Sequence, residues 1–143
     1  NSNEKRKLLL TKKVYKILNG QLRNKTITFL GVTFKPNTDD MREASSIPMI
    51  KYLNMKNSNI RYYDPSGKKN EFENLKNVKY CKNISTACLH SDLIILHTEW
   101  NDFKLLNFKK LVKKTKFKIY DMRNIYSPSK MRKLNINYFG VGR

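Results

Sequence analysis

Residues 26–56 read TITFLGVTFKPNTDDMREASSIPMIKYLNMK, and this stretch decides the fold. Its first part, residues 26–31, is a short run of β-branched and aromatic side chains that ends at a glycine, which is typical of a buried strand. Its last part, residues 45–56, has apolar side chains at helical spacing. These are Ile47, Met49, Ile50, Leu53 and Met55. The stretch therefore predicts a strand, a long polar loop and a helix.

The same alternation continues on both sides of this stretch. A helix is predicted over residues 4–18. Further strands are predicted over 60–63, 93–96, 117–120 and 136–139, and helices over 85–90, 104–114 and 128–134. Because no hairpin turn joins the strands, we predict an α/β fold, a Rossmann-like three-layer domain with a mostly parallel sheet covered by helices on both faces.

Length and composition favour one folded, basic domain. The chain has 143 residues and is 39% hydrophobic, which suits a domain with its own core and excludes a disordered tail. Its 30 Lys and Arg against 11 Asp and Glu give a formal net charge of +19. The lysines are scattered, whereas a nucleic-acid interface would concentrate Arg and aromatic residues. We expect no specific nucleic-acid partner, although a basic nucleic-acid-binding module stays an alternative.

Features of targeting, membrane insertion and metal binding are missing from the sequence pattern. No window approaches the ~18 apolar residues of a membrane span. Residues 1–7 lack the layout of a signal peptide, and we interpret this start as a cut or a domain edge. Cys81 and Cys88 have no metal-ligand spacing and are too few for a disulfide framework. We expect a soluble, cytoplasmic protein with free thiols, no membrane partner and no metal site.

The loop over residues 32–46 carries the candidate chemistry. It has no G-x-G-x-x-G pattern, so the dinucleotide fingerprint is missing. Lys35 comes soon after the predicted strand, where an ammonium can reach an anionic or hydroxyl-rich ligand. Three acidic residues could pair with Arg42 and orient it, namely Asp39, Asp40 and Glu43. The competing interpretation is an ordinary loop whose charges satisfy one another.

The run GVTFKPNTDDMREA at residues 31–44 resembles the signature G-[LF]-[AST]-F-K-x-x-T-[DG]-D-x-R-E-[AS] of the UDP-glucose and GDP-mannose dehydrogenase family. Later segments resemble landmarks of that family in the same order: YDP at 63–65, Asp92 with TEW at 98–100, DMRNIY at 121–126 and YFGVGR at 138–143. Within the family, the segments NTDDMREA at 37–44 and RNIY at 123–126 are most similar to the UDP-glucose 6-dehydrogenase branch. A dehydrogenase of another UDP- or GDP-sugar is the alternative.

The resemblance implies ligand contacts for four residues. Phe34 and Lys35 would contact the sugar nucleotide, and Arg123 would contact the same substrate from a later loop. Arg42 would reach NAD, which would be bound mainly by a domain outside this chain. Met122 stands where the family commonly has glycine, which could change the turn that aims Arg123.

The resemblance also implies an activity that this chain alone would lack. In the family, the sugar C6 alcohol is oxidised to an acid by two hydride transfers to NAD, with a catalytic cysteine in a G-G-x-C-F-P-K-D motif. Neither Cys81 nor Cys88 has that setting, so no catalytic residue is assigned. Residues 1–24 would be a helix leading in from a missing amino-terminal dehydrogenase domain, and residues 25–143 the UDP-sugar-binding domain. A homo-oligomer is expected for the full enzyme.

Other interpretations of the sequence stay open. The chain could be a stand-alone Rossmann-like domain that keeps the fold and binds nothing well. His90 and His97 are each interpreted as structural histidines in preference to titrating groups. Trp100 is interpreted as a packing residue in preference to a stacking platform for a base.

Overall fold

The computed structural model describes residues 2–143, with side chains from Lys5 onward, and Asn1 of the predicted leading segment lies outside the described residues. Six strands form one sheet: β1 (Thr26–Leu30), β2 (Asn59–Tyr63), β3 (Val78–Tyr80), β4 (Leu93–Leu96), β5 (Lys118–Asp121) and β6 (Asn137–Phe139). Five α-helices connect or precede them: α1 (Ser2–Ile17), α2 (Ser46–Met55), α3 (Ile84–Cys88), α4 (Phe108–Val112) and α5 (Pro128–Lys133).

The sheet is parallel throughout and confirms the predicted fold class. The strand order is β3-β2-β1-β4-β5-β6, and each of the five neighbouring pairs is parallel. The chain runs outward from β1 to β3, then returns to β4 and runs outward in the other direction. The switch point between these two halves therefore lies between the carboxyl ends of β1 and β4.

Helices cover both faces of the sheet, and β4 shows how one strand serves two cores. Leu93 and Ile95 pack in the cluster that contains α1 and α2 side chains. Ile94 and Leu96 pack in the other cluster, with side chains from α3, α4 and α5. All four are fully buried. An uninterrupted apolar run is the pattern of a parallel strand buried on both faces.

The largest differences from the sequence prediction concern two elements, while the helix predicted over 85–90 is Ile84–Cys88. β3 was not predicted, because its three residues are only partly buried or exposed and it pairs with β2 alone at the sheet edge. The helix predicted over 104–114 is limited to Phe108–Val112. Asn107 caps it by accepting a hydrogen bond from the Lys110 amide at 3.2 Å, so the helix begins after that residue.

The leading helix belongs to the same core as the sheet. Val14 and Ile17 of α1 are buried against the α2 side of the sheet, together with Leu18 just after the helix. The division between residues 1–24 and 25–143 stays a prediction. Within the described part of the chain, no helix combines the length and apolar character needed to cross a membrane.

Candidate functional site

The loops that follow β1, β4 and β5 meet at the switch point of the sheet. The four residues singled out by the sequence lie on two of these loops: Phe34, Lys35 and Arg42 after β1, and Arg123 after β5. All four side chains are exposed. They form an open surface rather than an enclosed cavity. We call residues 32–45 the β1 loop.

Backbone and hydroxyl hydrogen bonds fold the β1 loop back on itself. The Phe34 amide donates to the Asp40 carbonyl at 3.1 Å. The Thr33 hydroxyl donates to the Lys35 carbonyl at 2.9 Å. At the end of the loop, the buried Ser46 hydroxyl donates to the Val32 carbonyl at 2.6 Å. These bonds fix the backbone that presents Lys35.

Arg123 links three segments of the chain. Its Nε donates to the His97 carbonyl at 3.0 Å, and its Nη2 donates to the Phe34 carbonyl at 3.1 Å. The structure thus places the Arg123 guanidinium next to the backbone of Phe34, and the ligand contacts of both residues stay a prediction. These bonds use two of the five guanidinium N–H donors, which leaves donors for an anionic ligand.

The turn that aims Arg123 is formed without glycine at position 122. Met122 is not among the residues with positive φ, whereas Asn124 has φ of 52°. The buried Asp121 accepts from the Arg123 amide at 3.2 Å. Asn124 exchanges two 2.9 Å hydrogen bonds with the backbone of Val141, which braces the turn from the carboxyl-terminal segment. The methionine is therefore compatible with this turn.

Arg42 forms a two-pronged ion pair with Asp40. Its Nε lies 3.1 Å from Oδ1 and its Nη2 lies 3.1 Å from Oδ2. The hydrogen bond from Arg42, with a smaller effect of Lys35, holds the pKa of the Asp40 carboxyl below its usual value. Of the three acidic partners considered from sequence, Asp40 makes this contact, while Glu43 lies 4.0 Å from Lys7. The Arg42 side chain is 89% exposed, so it keeps access to solvent and to ligands.

Thr98 fills the space next to Gly31 at the switch point. A Cβ at Gly31, whose φ is +79°, would lie 2.6 Å from the Thr98 Cβ. The glycine therefore lets Thr98 approach the backbone at the place where a dinucleotide site brings in a pyrophosphate. Asp64, at the end of β2, is also occupied, because it accepts from the amides of Val32 at 2.8 Å and Ser66 at 2.9 Å.

His97 is a buried hub behind the β1 loop. Its Nε2 lies 2.9 Å from the Ser45 hydroxyl, and its Nδ1 lies 3.0 Å from the Thr98 hydroxyl. Burial, and then the charge of Arg123, lower the pKa of His97 to about 3. The ring is therefore neutral at physiological pH, which confirms the structural interpretation. Sequence reasoning missed the contact between His97 and Ser45, because the two residues are 52 positions apart.

Neither cysteine has the properties of a nucleophile. Cys81 and Cys88 are buried free thiols. Burial raises the pKa of both, to about 12 for Cys88, which keeps the unreactive thiol form. The assignment of no catalytic residue to this chain stays a prediction. No group of three potential metal-ligating side chains occurs within the described residues.

Trp100 packs rather than presenting a stacking face. It is 9% exposed and lies in the cluster with α3 and α4 side chains. Its indole Nε1 has no hydrogen-bond partner in the part of the chain that the structure describes. The packing interpretation is confirmed.

Among the clefts in the described part of the chain, two of about 450 and 470 Å³ lie away from these loops. One, of about 450 Å³, lies at the amino ends of the strands and is lined by residues that include Asp92, Lys114 and Lys118. The other, of about 470 Å³, lies between α3 and α4 and has a mainly apolar lining that includes Leu105 and Leu111. Neither is lined by any of the four residues singled out by the sequence.

Comparison with known proteins identifies the family to which the chain belongs. Residues 28–128 match the family model described as UDP-glucose/GDP-mannose dehydrogenase family, UDP binding domain. A UDP-glucose 6-dehydrogenase of Rickettsia felis is 37% identical over 144 residues, which cover 99% of this chain and 32% of that protein. A UDP-glucose 6-dehydrogenase of Rhizobium meliloti is 33% identical, with coverage of 99% and 32%. The chain spans about a third of the length of these curated relatives.

Solved structures share the fold. A UDP-glucose dehydrogenase of Pyrobaculum islandicum superposes with a TM-score of 0.73 at 24% identity, covering 96% of this chain and 30% of that one. An NDP-N-acetyl-D-galactosaminuronic acid dehydrogenase of Methanosarcina mazei superposes with a TM-score of 0.77 at 21% identity, with coverage of 96% and 29%. At these identities the likeness concerns the fold alone.

Proposed function

The chain belongs to the UDP-glucose/GDP-mannose dehydrogenase family, and from this premise we propose that it is the UDP-sugar-binding part of a longer NAD-dependent UDP-glucose 6-dehydrogenase. That enzyme would convert UDP-glucose, two NAD⁺ and water to UDP-glucuronate and two NADH. One observation carries the proposal. Arg123 bonds to the Phe34 carbonyl, so the two loops to which the resemblance assigns substrate contacts lie next to each other at the switch point.

The exposed cations of this surface suit a nucleotide sugar. UDP-glucose carries a diphosphate and many hydroxyls, and both Lys35 and Arg123 offer charged N–H donors to such oxygens. Each charge-assisted hydrogen bond contributes about 1.5 to 3 kcal/mol. The fixed backbone of the β1 loop reduces the entropy that would be lost when Lys35 engages the ligand. In this proposal the chain binds and orients the substrate.

The chain's own switch point does not fit a dinucleotide. Thr98 occupies the space beside Gly31, and both Asp64 oxygens already accept hydrogen bonds. The residues at this switch point therefore do not suit a main NAD site of the chain's own. The cofactor would be held mainly by a domain outside it, and Arg42 would reach it from the edge.

Replacing Arg42 by Ala tests the cofactor contact. In the longer protein, the change should weaken NAD binding more than UDP-glucose binding, because Lys35 and Arg123 stay in place. In the 143-residue chain, the melting temperature should hardly change, since an exposed ion pair with Asp40 adds little stability. A large drop in melting temperature with unchanged NAD affinity would contradict the cofactor role.

The product of the longer enzyme would supply uronic acid units for polysaccharide synthesis. The longer protein would contain an amino-terminal dehydrogenase domain with the catalytic cysteine and would form a homo-oligomer. The buried free thiols of Cys81 and Cys88 support a cytoplasmic location.

An assay of NAD reduction with UDP-glucose tests the division of labour. The purified 143-residue chain should give no NADH at any concentration, because it lacks an activated thiol and a dinucleotide site. The longer protein should give two NADH for each UDP-glucose. Turnover by the pure chain, or a longer protein that oxidises GDP-mannose and leaves UDP-glucose untouched, would contradict the proposal.

A further inference from the structure

We propose that His97 is a positioning residue for the substrate surface, because its ring and its carbonyl tie the β1 loop and Arg123 to the end of β4. The inference rests on the proposed function, since it concerns how the proposed UDP-sugar contacts are held. His97 touches no ligand in this proposal and acts through Ser45, Thr98 and Arg123.

The direction of each hydrogen bond follows from the chemistry of the partners. The Thr98 hydroxyl donates its single hydrogen to the Thr33 carbonyl at 2.8 Å, so it can only accept from the imidazole. The His97 Nδ1 therefore carries the ring hydrogen. In a neutral ring the Nε2 is then an acceptor, and the Ser45 hydroxyl donates to it. A single tautomer satisfies both ring nitrogens.

The hydrogen bonds place both ends of the β1 loop on one dipeptide. Thr33, at the start of the loop, is held by Thr98, and Ser45, at its end, is held by the His97 ring. Lys35 and Arg42 lie between these two fixed points. The backbone of His97 is itself fixed, because its amide donates to the Leu30 carbonyl of β1 at 3.0 Å.

Ser45 is diverted from the role that its position favours. It is the amino-terminal cap residue of α2, where a serine side chain commonly accepts from the helix backbone. Here it makes no such bond, and its hydroxyl turns to His97. The Ser45 side chain therefore does not cap α2 and instead links two loops of the site.

Arg123 completes the arrangement from the other side. Its Nε bonds to the His97 carbonyl and its Nη2 bonds to the Phe34 carbonyl. The guanidinium is therefore oriented by the same residue that anchors the β1 loop. Loss of the ring contacts should loosen the loop, while the carbonyl of a replacement residue can still accept from Arg123.

The test compares Ser45→Ala and His97→Phe with Ser58→Ala in the 143-residue chain. Ser58 is a matched control, because its fully buried hydroxyl donates to the Leu22 carbonyl at 2.6 Å, near the amino end of β2. For each variant we would measure the melting temperature, the backbone ¹⁵N heteronuclear NOE of residues 34–44, and the Kd for UDP-glucose by NMR titration.

Ser45→Ala and His97→Phe should each lower the NOE values of the β1 loop and raise the Kd roughly three- to tenfold. Ser58→Ala should lower the melting temperature and leave both other quantities unchanged. The double variant should resemble His97→Phe, because the Ser45–His97 hydrogen bond is already lost in that single variant. If His97→Phe fails to fold, Ser45→Ala alone decides between these results.

Two outcomes bear on different claims. If Ser45→Ala and His97→Phe lower only the melting temperature, as Ser58→Ala does, His97 is merely a core residue and the positioning role is overturned. If the wild-type chain does not bind UDP-glucose, the proposed function fails instead. The NOE comparison then still decides whether His97 fixes the loop.

Discussion

At the scale of single residues, the two proposed substrate contacts are held in different ways. Lys35 owes its position to the backbone of the β1 loop, whereas the Arg123 guanidinium itself bonds to His97 and Phe34. The lysine can be removed with little effect on its surroundings. Removal of the arginine deletes a ligand contact and an anchor of the loop together.

Alanine variants of Lys35 and Arg123 should therefore differ. Lys35→Ala should weaken UDP-glucose binding by about 1.5 to 3 kcal/mol, and Arg123→Ala should weaken it more. Arg123→Lys keeps the charge without the two-pronged geometry and should fall between wild type and Arg123→Ala. Isothermal titration of each variant checks this order.

Lys116→Ala is the matched control for these charge changes. Lys116 is exposed and lines the cleft at the opposite edge of the sheet. The Lys116→Ala change lowers the net charge by the same amount as Lys35→Ala and should leave the Kd for UDP-glucose unchanged. Equal losses for Lys116→Ala and Lys35→Ala would show that overall charge, and not the proposed site, governs binding.

The burial of His97 makes a prediction about acid stability. Its folded pKa of about 3 lies below the value near 6.5 of an unfolded histidine, so the unfolded chain binds the proton first. The stabilisation is complete above pH 6.5 and is lost as the pH falls towards 3. Between pH 7 and pH 5 the loss should be about 2 kcal/mol.

Urea unfolding at pH 7 and pH 5 measures this loss. His97→Phe removes the titrating ring, so its stability should change much less over the same interval. If wild type and His97→Phe lose the same stability between these two values, the acid sensitivity arises from other groups and His97 is not buried in its neutral form.

At the scale of elements, the junction of β1 and β4 sets the shape of the switch point. Gly31 lies at this junction, and Gly67 lies in the loop after β2. Both have positive φ, but a Cβ at Gly67 would meet no atom within 4 Å. The pair therefore separates backbone strain from close packing.

Gly31→Ala should destabilise the chain more than Gly67→Ala. Both changes carry a cost of about 1 to 2 kcal/mol for a side chain in the left-handed region. Gly31→Ala adds about 1 to 3 kcal/mol, because the new methyl group must displace Thr98. Equal free energies of unfolding for the two variants would mean that Thr98 yields easily and that the junction is loosely packed.

The elements show how far sequence reasoning reaches. β1 and β4 were predicted closely, because a run of β-branched and aromatic residues and an uninterrupted apolar run both indicate a buried strand. β3 was missed, since an edge strand of three residues that is nowhere fully buried leaves no such pattern. The start of α4 depends on the side chain of Asn107, which the apolar periodicity does not register.

The sequence predicted the residues of the candidate site but not the contacts that hold them together. The signature at 31–44 gave Phe34, Lys35 and Arg42, and their role in binding stays a prediction. The links from His97 to Ser45 and from Arg123 to Phe34 join residues 52 and 89 positions apart. Such contacts follow from the strand order, which a single sequence with no alignment does not reveal.

At the scale of the whole molecule, neither the charge distribution nor the clefts mark the proposed substrate surface. The net charge of +19 comes mainly from dispersed lysines. The proposed substrate surface is an open face at the switch point, whereas the clefts of about 450 and 470 Å³ lie elsewhere. Because this chain covers about a third of its curated relatives, we propose that the open face contacts the missing part of the longer protein, which would hold NAD.

The most direct measurement is an NMR titration of the ¹⁵N-labelled 143-residue chain with UDP-glucose, with uridine and inorganic phosphate as controls. We expect saturable shifts confined to amides of the β1 loop and of residues 97–100 and 121–126, with weaker effects of both controls. Shifts spread over the exposed lysines that phosphate reproduces, or shifts confined to the cleft at Lys114–Lys118, would contradict a UDP-sugar site at the switch point.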